Sequence, residues 1–353
     1  MTTLHILSNP MGITHPDFVM DSFNPVILNF IEGMRDYDYE LIHYGHEESK
    51  VNCEHITVVT TKQNRIESFN GHIITEDYKL IDIFSKRTSE ELYKRKKPND
   101  IILCFNGIWN SKTVNNHYDS FIVEPAIGYD PAATFAPYKV FSSYSQMHYY
   151  YGLTGTLKNP SWYDEVIPNS FDPEQFEYSD QKEDYFVYLG RMVKDKGIDL
   201  CIQITKYLNE KLVIASPGSL KSLGYQNTLP HVKHIGYCDS ESRKRVLSKA
   251  KALIAPTYFL EPFGNIVAEA LLSGTPVITT DWGGFVDTCI SGVTGYRCRS
   301  FEQFVNAAKN INQISNQYCR DYAMNNFSIK AVSQKYHNYF QRILKQDFYG
   351  DLR

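Results

Sequence analysis

"LIAPTYFLEPFGNIVAEALLSG", Leu253–Gly274, is the stretch whose reading decides the fold. Its apolar start reads as a strand leaving a sheet, followed by a loop and then a helix that begins near Gly264 and ends at Gly274. Strand, loop and helix in that order form the repeating unit of parallel α/β sheets, whose ligands sit outside the carboxyl ends of the strands. Glu261 falls in the loop and Glu269 almost two turns into the helix.

The same rhythm runs through the chain. Short runs rich in Val and Ile alternate with amphipathic stretches. Candidate strands in the first half are "LHIL", "ELIHYG", "HITVVT", "DIILCF", "FIVE", "YKVFSS" and "DEVIP"; in the second they are "YFVYLG", "KLVIAS", "ALIAPT" and "PVITT". In "DKGIDLCIQITKYL", Ile198, Cys201, Ile202, Thr205 and Leu208 make one apolar helix face. With 353 residues, 42% of them hydrophobic, the chain has enough apolar surface for two domains. The polar segment Asn169–Asp184 interrupts the pattern with proline and acids and reads as the linker. Two Rossmann-like domains are expected, 1–170 and 185–327. A terminal helix over 328–353, capped by Ser328 and striped by Ile329, Val332, Tyr336, Tyr339, Phe340 and Ile343, is expected to return to the first domain.

Lys and Arg number 36 against 40 Asp and Glu, a formal charge of -4 with no long block of one sign, which argues against a general polyanion binder. Seven cysteines are scattered without a C-x-x-C pair and read as reduced thiols of a cytoplasmic protein. "MTTLHILSNPMG" reads as a first strand rather than a leader, and no apolar run approaches the ~18 residues of a membrane span. No internal repeat or low-complexity segment occurs.

Carboxylates accept hydrogen bonds from hydroxyls, and the backbone N–H groups of Phe263, Gly264 and Asn265 would lie at a helix start, able to donate to an anion or a sugar. Gly264 removes a side chain where a ligand must approach the backbone. On those residues alone the commoner reading is two solvated acids near an ordinary helix start; the surrounding sequence raises ligand binding above it. "YLGRMVKDKG", Tyr188–Gly197, follows a strand with Gly190 and then places Arg191 and Lys196 where a diphosphate needs cations. The alternative is a solvated basic turn. "LVIASPGS" repeats the architecture, with Ser216 and Gly218 after its strand.

Together with "HVKHIGYCDSESRKRVLSKAKALIAPT", "EPFGNIVAEALLSGTPVITTDWGG" and "GVTGYRC", these motifs resemble, in order, those of glycosyltransferase family 4 enzymes. The resemblance covers most of Tyr185–Cys298. "HYGHE", "RKKPNDIILCFNG" and the segment from Val123 to Gly152 resemble, more loosely, a phage and bacterial branch of that family.

The resemblance implies a GT-B fold, two Rossmann-like domains facing each other across a central cleft. It implies retaining transfer of a hexosyl or pentosyl group from a nucleotide diphosphate sugar, UDP-linked, to a hydroxyl acceptor such as a saccharide or lipid-linked glycan. Arg191 and Lys196 then neutralise the diphosphate, Glu269 binds the ribose, Glu261 lies near the donor sugar hydroxyls, and the backbone of Phe263, Gly264 and Asn265 contacts the sugar. Gly236 and Tyr237 lie where the base docks, and Gly190, Ser216 and Gly218 line the donor loops. No cofactor beyond the donor and no metal is implied. Other readings of the same chain are glycosylation of hydroxymethylated bases in phage-type DNA, and a GT-B epimerase or silent sugar-nucleotide binder.

The first half departs from the family pattern. Its first loop, "SNPMG", offers Gly12 alone beside phosphate or acceptor, and "FIVEPAIGY" puts Glu124 where a histidine is usual. Glu124 orients a sugar hydroxyl or takes the acceptor proton, or else caps a helix start. His43 and His46 end the second strand and read as core or acceptor-loop histidines rather than zinc ligands, having no third ligand at suitable spacing. Asp36–Asp38, a D-x-D at a helix end, does not read as a metal site. "YKRKKP", Tyr93–Pro98, reads as a solvated helix end, and the aromatics of "MHYYYG" either pack between layers or stack on sugars.

Overall fold

The computed structural model describes all residues except 19–22, 64–77, 118, 129, 131–132, 226–228 and 346–353. It divides into two compact units, one of residues 1–142, 147–170 and 329–353, the other of 143–146 and 171–328.

The first unit is built on a seven-stranded parallel sheet of order β3-β2-β1-β4-β5-β6-β7. Its strands are β1 Thr2–Leu7, β2 Tyr39–His46, β3 Glu54–Val59, β4 Ile101–Cys104, β5 Phe121–Glu124, β6 Tyr138–Phe141 and β7 Glu165–Val166. Helices α1 Phe23–Met34, α2 Tyr78–Arg95, α3 Ser111–Val114 and α4 Tyr144–Thr154 connect them. The second unit carries a six-stranded parallel sheet of order β10-β9-β8-β11-β12-β13. Its strands are β8 Phe186–Leu189, β9 Leu212–Ala215, β10 Val232–Gly236, β11 Ala252–Ala255, β12 Val277–Thr280 and β13 Gly295–Cys298. Its helices are α5 Ile198–Leu208, α6 Ser240–Lys249, α7 Asn265–Leu272, α8 Phe285–Thr288, α9 Phe301–Asn310 and α10 Asn316–Phe327, and α11, Ile329–Lys345, returns to the first unit. Both orders reverse direction at a switch point, between β1 and β4 and between β8 and β11, the doubly wound arrangement of Rossmann-like domains.

Burial on both faces explains why these strands show as apolar runs: β4, β5, β8, β11 and β12 are buried at every position. β10 and β13 are not among the expected strands. Both are edges with partly exposed positions, and "VKHIG" and "GYRC" offer no continuous apolar run. α11 buries the expected stripe of Val332, Tyr336, Tyr339, Phe340 and Ile343 in the first unit's core. There Phe30 of α1 meets the rings of Tyr336 and Phe340 edge-on at 5.1 and 6.2 Å.

The polar segment Asn169–Asp184, read from sequence as a linker, is from Phe171 onward part of the second unit. Phe171 N–H donates to Phe327 O at 2.8 Å and its ring stacks on Phe263 at 6.3 Å. Lys182 Nζ donates to Ser248 O and Thr275 Oγ1, both at 2.8 Å. The composition is polar because these contacts are hydrogen bonds across the unit's surface.

Candidate functional site

The expected second-unit residues gather at the carboxyl ends of neighbouring strands. Gly190 follows β8, Ser216 follows β9, Gly236 ends β10, and the loop holding Glu261 follows β11. The loops after β8 and β11 flank the switch point, where no crossover covers the sheet end.

These two loops are locked together. Tyr258 N–H donates to Asp195 O at 2.9 Å. Gly197, at φ +71, ends the turn Lys194–Lys196 and caps α5, and a Cβ there would lie 2.1 Å from Pro256 O. Lys196 Nζ forms an ion pair with Glu261 Oε2 and lies 4.5 Å from the centre of the Phe259 ring. The two charged side chains are 13% and 9% exposed, so their pairing takes place largely out of water. Arg191, earlier in the loop after β8, is exposed.

Glu261 is held from the other side by "DWGG", the loop after β12. Gly284 N–H donates to Glu261 O at 2.6 Å and Trp282 Nε1 donates to Thr257 O at 3.1 Å. Cβ atoms on Gly283 and Gly284 would lie 2.7 Å from Glu261 N and 2.5 Å from Pro262 O. Gly264 caps α7 at φ +89, where a Cβ would lie 2.4 Å from the Phe285 ring; Asn265 begins the helix and Phe263 is buried. The loop thus presents a helix N-terminus beside a fixed carboxylate.

Glu269 is buried on α7, and both its oxygens accept from Arg243 Nη1 of α6 at 3.2 Å. Arg243 was not among the expected residues: it sits in a basic helix, "SESRKRVLSK", whose pairing with α7 only the fold shows. Asp239 accepts from Ser242 N–H at 2.8 Å and caps α6, which fixes where Arg243 emerges. Ser216 is buried, its carbonyl 2.8 Å from His234 Nε2, while Tyr237 is exposed and Gly218 lies near Met192. His234 is a second residue that sequence reading passed over, because a single histidine in a short edge strand carries no spacing signal.

Gly12 and Glu124 belong to the first unit. Gly12 is buried in the loop after β1, its N–H donating to Asn9 O at 3.2 Å. Glu124 ends β5 buried, with Oε2 accepting from Phe135 N–H at 2.9 Å and Ala136 N–H at 3.2 Å. It therefore holds the loop before β6. Burial pushes its carboxyl up to about 7, against the pull of those two N–H donors and of Lys139.

His43 is buried, with Nδ1 2.9 Å from His55 Nδ1 and Nε2 3.0 Å from Thr14 Oγ1; burial, helped by His55, pushes it down to about 3. His46 Nδ1 accepts from Glu48 N–H at 3.1 Å. Both are engaged within the domain, as the core reading expects. Among the described residues no three His, Cys, Asp or Glu side chains are grouped to hold a metal ion, and no helix is long and apolar enough to cross a membrane. The basic run at the end of α2 is ion-paired, Lys94 and Arg95 to Glu91 and Lys96 to Asp119. Of the aromatics in "MHYYYG", Tyr150 and Tyr151 pack on Phe141, while Tyr149 is exposed.

Residues 171–330 match the family Glycosyl transferases group 1. The likeness to that family is confined to this stretch, which is less than half of the chain. An uncharacterized glycosyltransferase of Methanocaldococcus jannaschii, MJ1607, is 32% identical over 122 residues, which cover 32% of this chain and 31% of that one. The chain thus spans about a third of the length of the curated relatives it matches. Among solved structures, sucrose-phosphate synthase from Thermosynechococcus elongatus superposes with a TM-score of 0.73 at 14% identity, covering 98% of this chain and 100% of that one. Anabaena HepE, in complex with UDP and glucose, superposes with a TM-score of 0.67 at 12% identity, covering 97% and 100%. The fold is GT-B, with two parallel-sheet Rossmann-like domains.

Proposed function

We propose that the protein is a retaining glycosyltransferase that moves a sugar from a UDP-linked donor to a hydroxyl acceptor, a saccharide or lipid-linked glycan, in the cytoplasm. The observation that carries this reading is the paired loops at the switch point of the second unit, which hold Lys196 on Glu261 beside the N-terminus of α7. HepE, of the same fold, is bound to UDP and glucose.

In this reading Arg191 and Lys196 meet the diphosphate charge that develops as the sugar–phosphate bond opens, and no metal is invoked. The donor phosphates compete with Glu261 for Lys196, which frees Glu261 to accept from a hydroxyl of the donor sugar. Glu269, anchored by Arg243, accepts from the ribose hydroxyls. The acceptor enters on the face of the sugar from which the diphosphate leaves, so configuration is kept. Gly190, Ser216 and Gly218 line the diphosphate, and Gly236 and Tyr237 take the base. Gly12 lies beside the donor phosphate or the acceptor, and Glu124 serves the acceptor side, where a carboxyl poised near 7 is suited to proton transfer.

The test is nucleotide release from a panel of nucleotide sugars, with and without saccharide acceptors and hydroxymethylcytosine DNA, followed by the anomeric configuration of the product. Release of UDP with retained configuration on a saccharide supports the reading. Transfer to the DNA base moves the acceptor to the alternative class, and an altered sugar still joined to its nucleotide indicates epimerase chemistry.

A further inference from the structure

The Phe259 side chain carries no charge and no hydrogen-bonding group, yet it lies against the cation on which donor binding turns. It is half-buried between two exposed neighbours, Tyr258 at 55% and Leu260 at 53%, so it turns inward where they turn out. The centre of its ring is 4.5 Å from Lys196 Nζ, and Glu261 Oε2 pairs with the same ammonium. Lys196 thus meets two partners of different kinds from one loop, a carboxylate and a ring face.

The backbone holds the ring in that place from both sides. Tyr258 N–H donates to Asp195 O at 2.9 Å, which sets the residue before Phe259 against the residue before Lys196. Thr257 O accepts from Thr280 Oγ1 at 3.0 Å and from Trp282 Nε1 at 3.1 Å, and Glu261 O accepts from Gly284 N–H at 2.6 Å. Both ends of the stretch around Phe259 are therefore pinned by the end of β12 and the loop after it.

An aliphatic side chain would fill a half-buried place as well. What a ring adds is the negative face of its π system, whose attraction for an ammonium grows as water is removed. The Lys196 side chain is 13% exposed, so that attraction is little weakened by solvent. The two partners also respond differently to a donor. Glu261 competes with a diphosphate for Lys196; the ring is neutral, leaves the charge of the ammonium intact, and stays against it when the carboxylate lets go.

We propose that Phe259 is a positioning residue for the donor diphosphate, its ring keeping Lys196 in place while the ammonium passes from Glu261 to the phosphates. This rests on the donor reading of the site. In the free enzyme Glu261 holds the ammonium whether or not the ring attracts it; in the donor complex Glu261 has released it, so a weaker ring is felt as weaker nucleotide binding. A ring that only packs in the loop, or that stacks on the donor itself, acts without regard to Lys196.

In the full chain Phe259 is replaced by phenylalanines carrying one, two or three ring fluorines, which drain the π face stepwise and change the size of the ring little. UDP binding is titrated for each, with Lys196 present and with Lys196→Met. With Lys196 present the dissociation constant is expected to rise with each fluorine, by about tenfold at three, and with Lys196→Met to stay level. Phe259→Leu is expected to bind UDP no better than the trifluorinated ring. Uridine, which has no phosphate, serves where Lys196→Met binds UDP too weakly to read, and its binding is expected to stay level across the series. UDP affinity that ignores fluorine while Lys196 is present, or a fluorine dependence that persists in Lys196→Met or with uridine, would overturn the proposal and leave the donor reading standing. Failure of the unmodified chain to bind UDP would overturn the donor reading and the proposal with it.

Discussion

The ion pair between Lys196 and Glu261 offers the sharpest perturbation, because both side chains are almost out of water and each is the other's counter-charge. Replacing one takes that counter-charge from a largely desolvated partner; replacing both removes the two charges together. For a fully buried pair the single cost is about 3–5 kcal/mol, and the tenth or so of exposure left here brings the expectation to about 2–4 kcal/mol for Glu261→Gln or Lys196→Met. The double variant should be no worse than either single, a coupling energy of about 2–3 kcal/mol. The assay is urea unfolding, since urea leaves charges unscreened. Trp282, the one tryptophan within 171–328, reports on the second unit once Trp109 and Trp162 are replaced by Phe. Donor chemistry adds a second arm. With Glu261 neutralised, the diphosphate no longer competes with that carboxylate for Lys196, so Glu261→Gln should bind UDP at least as tightly as wild type while turning over more slowly. Additive single effects, or singles within about 0.5 kcal/mol of wild type, would refute the reasoning.

Arg243→Ala should leave the Glu269 carboxylate without its anchor and weaken donor binding about tenfold, with much of the loss absent for a 2′-deoxyribose donor; competition binding with both nucleotides checks this. Glu124 is protonated more readily folded than unfolded, so its contribution to stability is complete below about 4.5 and disappears as pH rises through about 7. Glu124→Gln should therefore stabilise the first unit above neutrality, by on the order of 3 kcal/mol, and flatten that limb of the stability–pH curve. His43 runs the opposite way: its neutral form is favoured by burial, so stability is full above 6.5 and falls as pH drops towards about 3, a loss that unfolding midpoints at neutral and acid pH would show. Gly197→Ala must either bend the turn or push against Pro256 O, and a drop in melting midpoint with reduced turnover is expected, both absent for Gly152→Ala on α4, where an added Cβ meets nothing.

Much of this architecture is legible in sequence for a plain physical reason. Strands covered on both faces must be apolar throughout, so "FVYL", "LVIA" and "ALIA" stand out, whereas edges β10 and β13 are half in water and do not. The α11 stripe is equally clear because one helix face is buried along its whole length. Asn169–Asp184 misleads because hydrogen bonds such as those of Lys182 need polar side chains just as a solvated linker does. In the site, loop residues and glycines after strands are visible, since each replaces a side chain that would strike backbone, as at Gly197 and Gly284. Partners are not visible: nothing in the spacing pairs Lys196 with Glu261 across 65 positions, or Arg243 with Glu269 across 26. The role of Glu124 turns on which N–H groups face it, those of Phe135 and Ala136, which is a property of the folded loop.

The central claim, that the second unit holds a sugar nucleotide at its switch point, is tested most directly by a crystal structure with a UDP-linked donor. The account predicts diphosphate oxygens on Lys196 Nζ and the Arg191 guanidinium, ribose hydroxyls on Glu269, and the sugar over the N-terminus of α7. A donor bound elsewhere, or one whose diphosphate leaves Lys196 still paired only with Glu261, would contradict it.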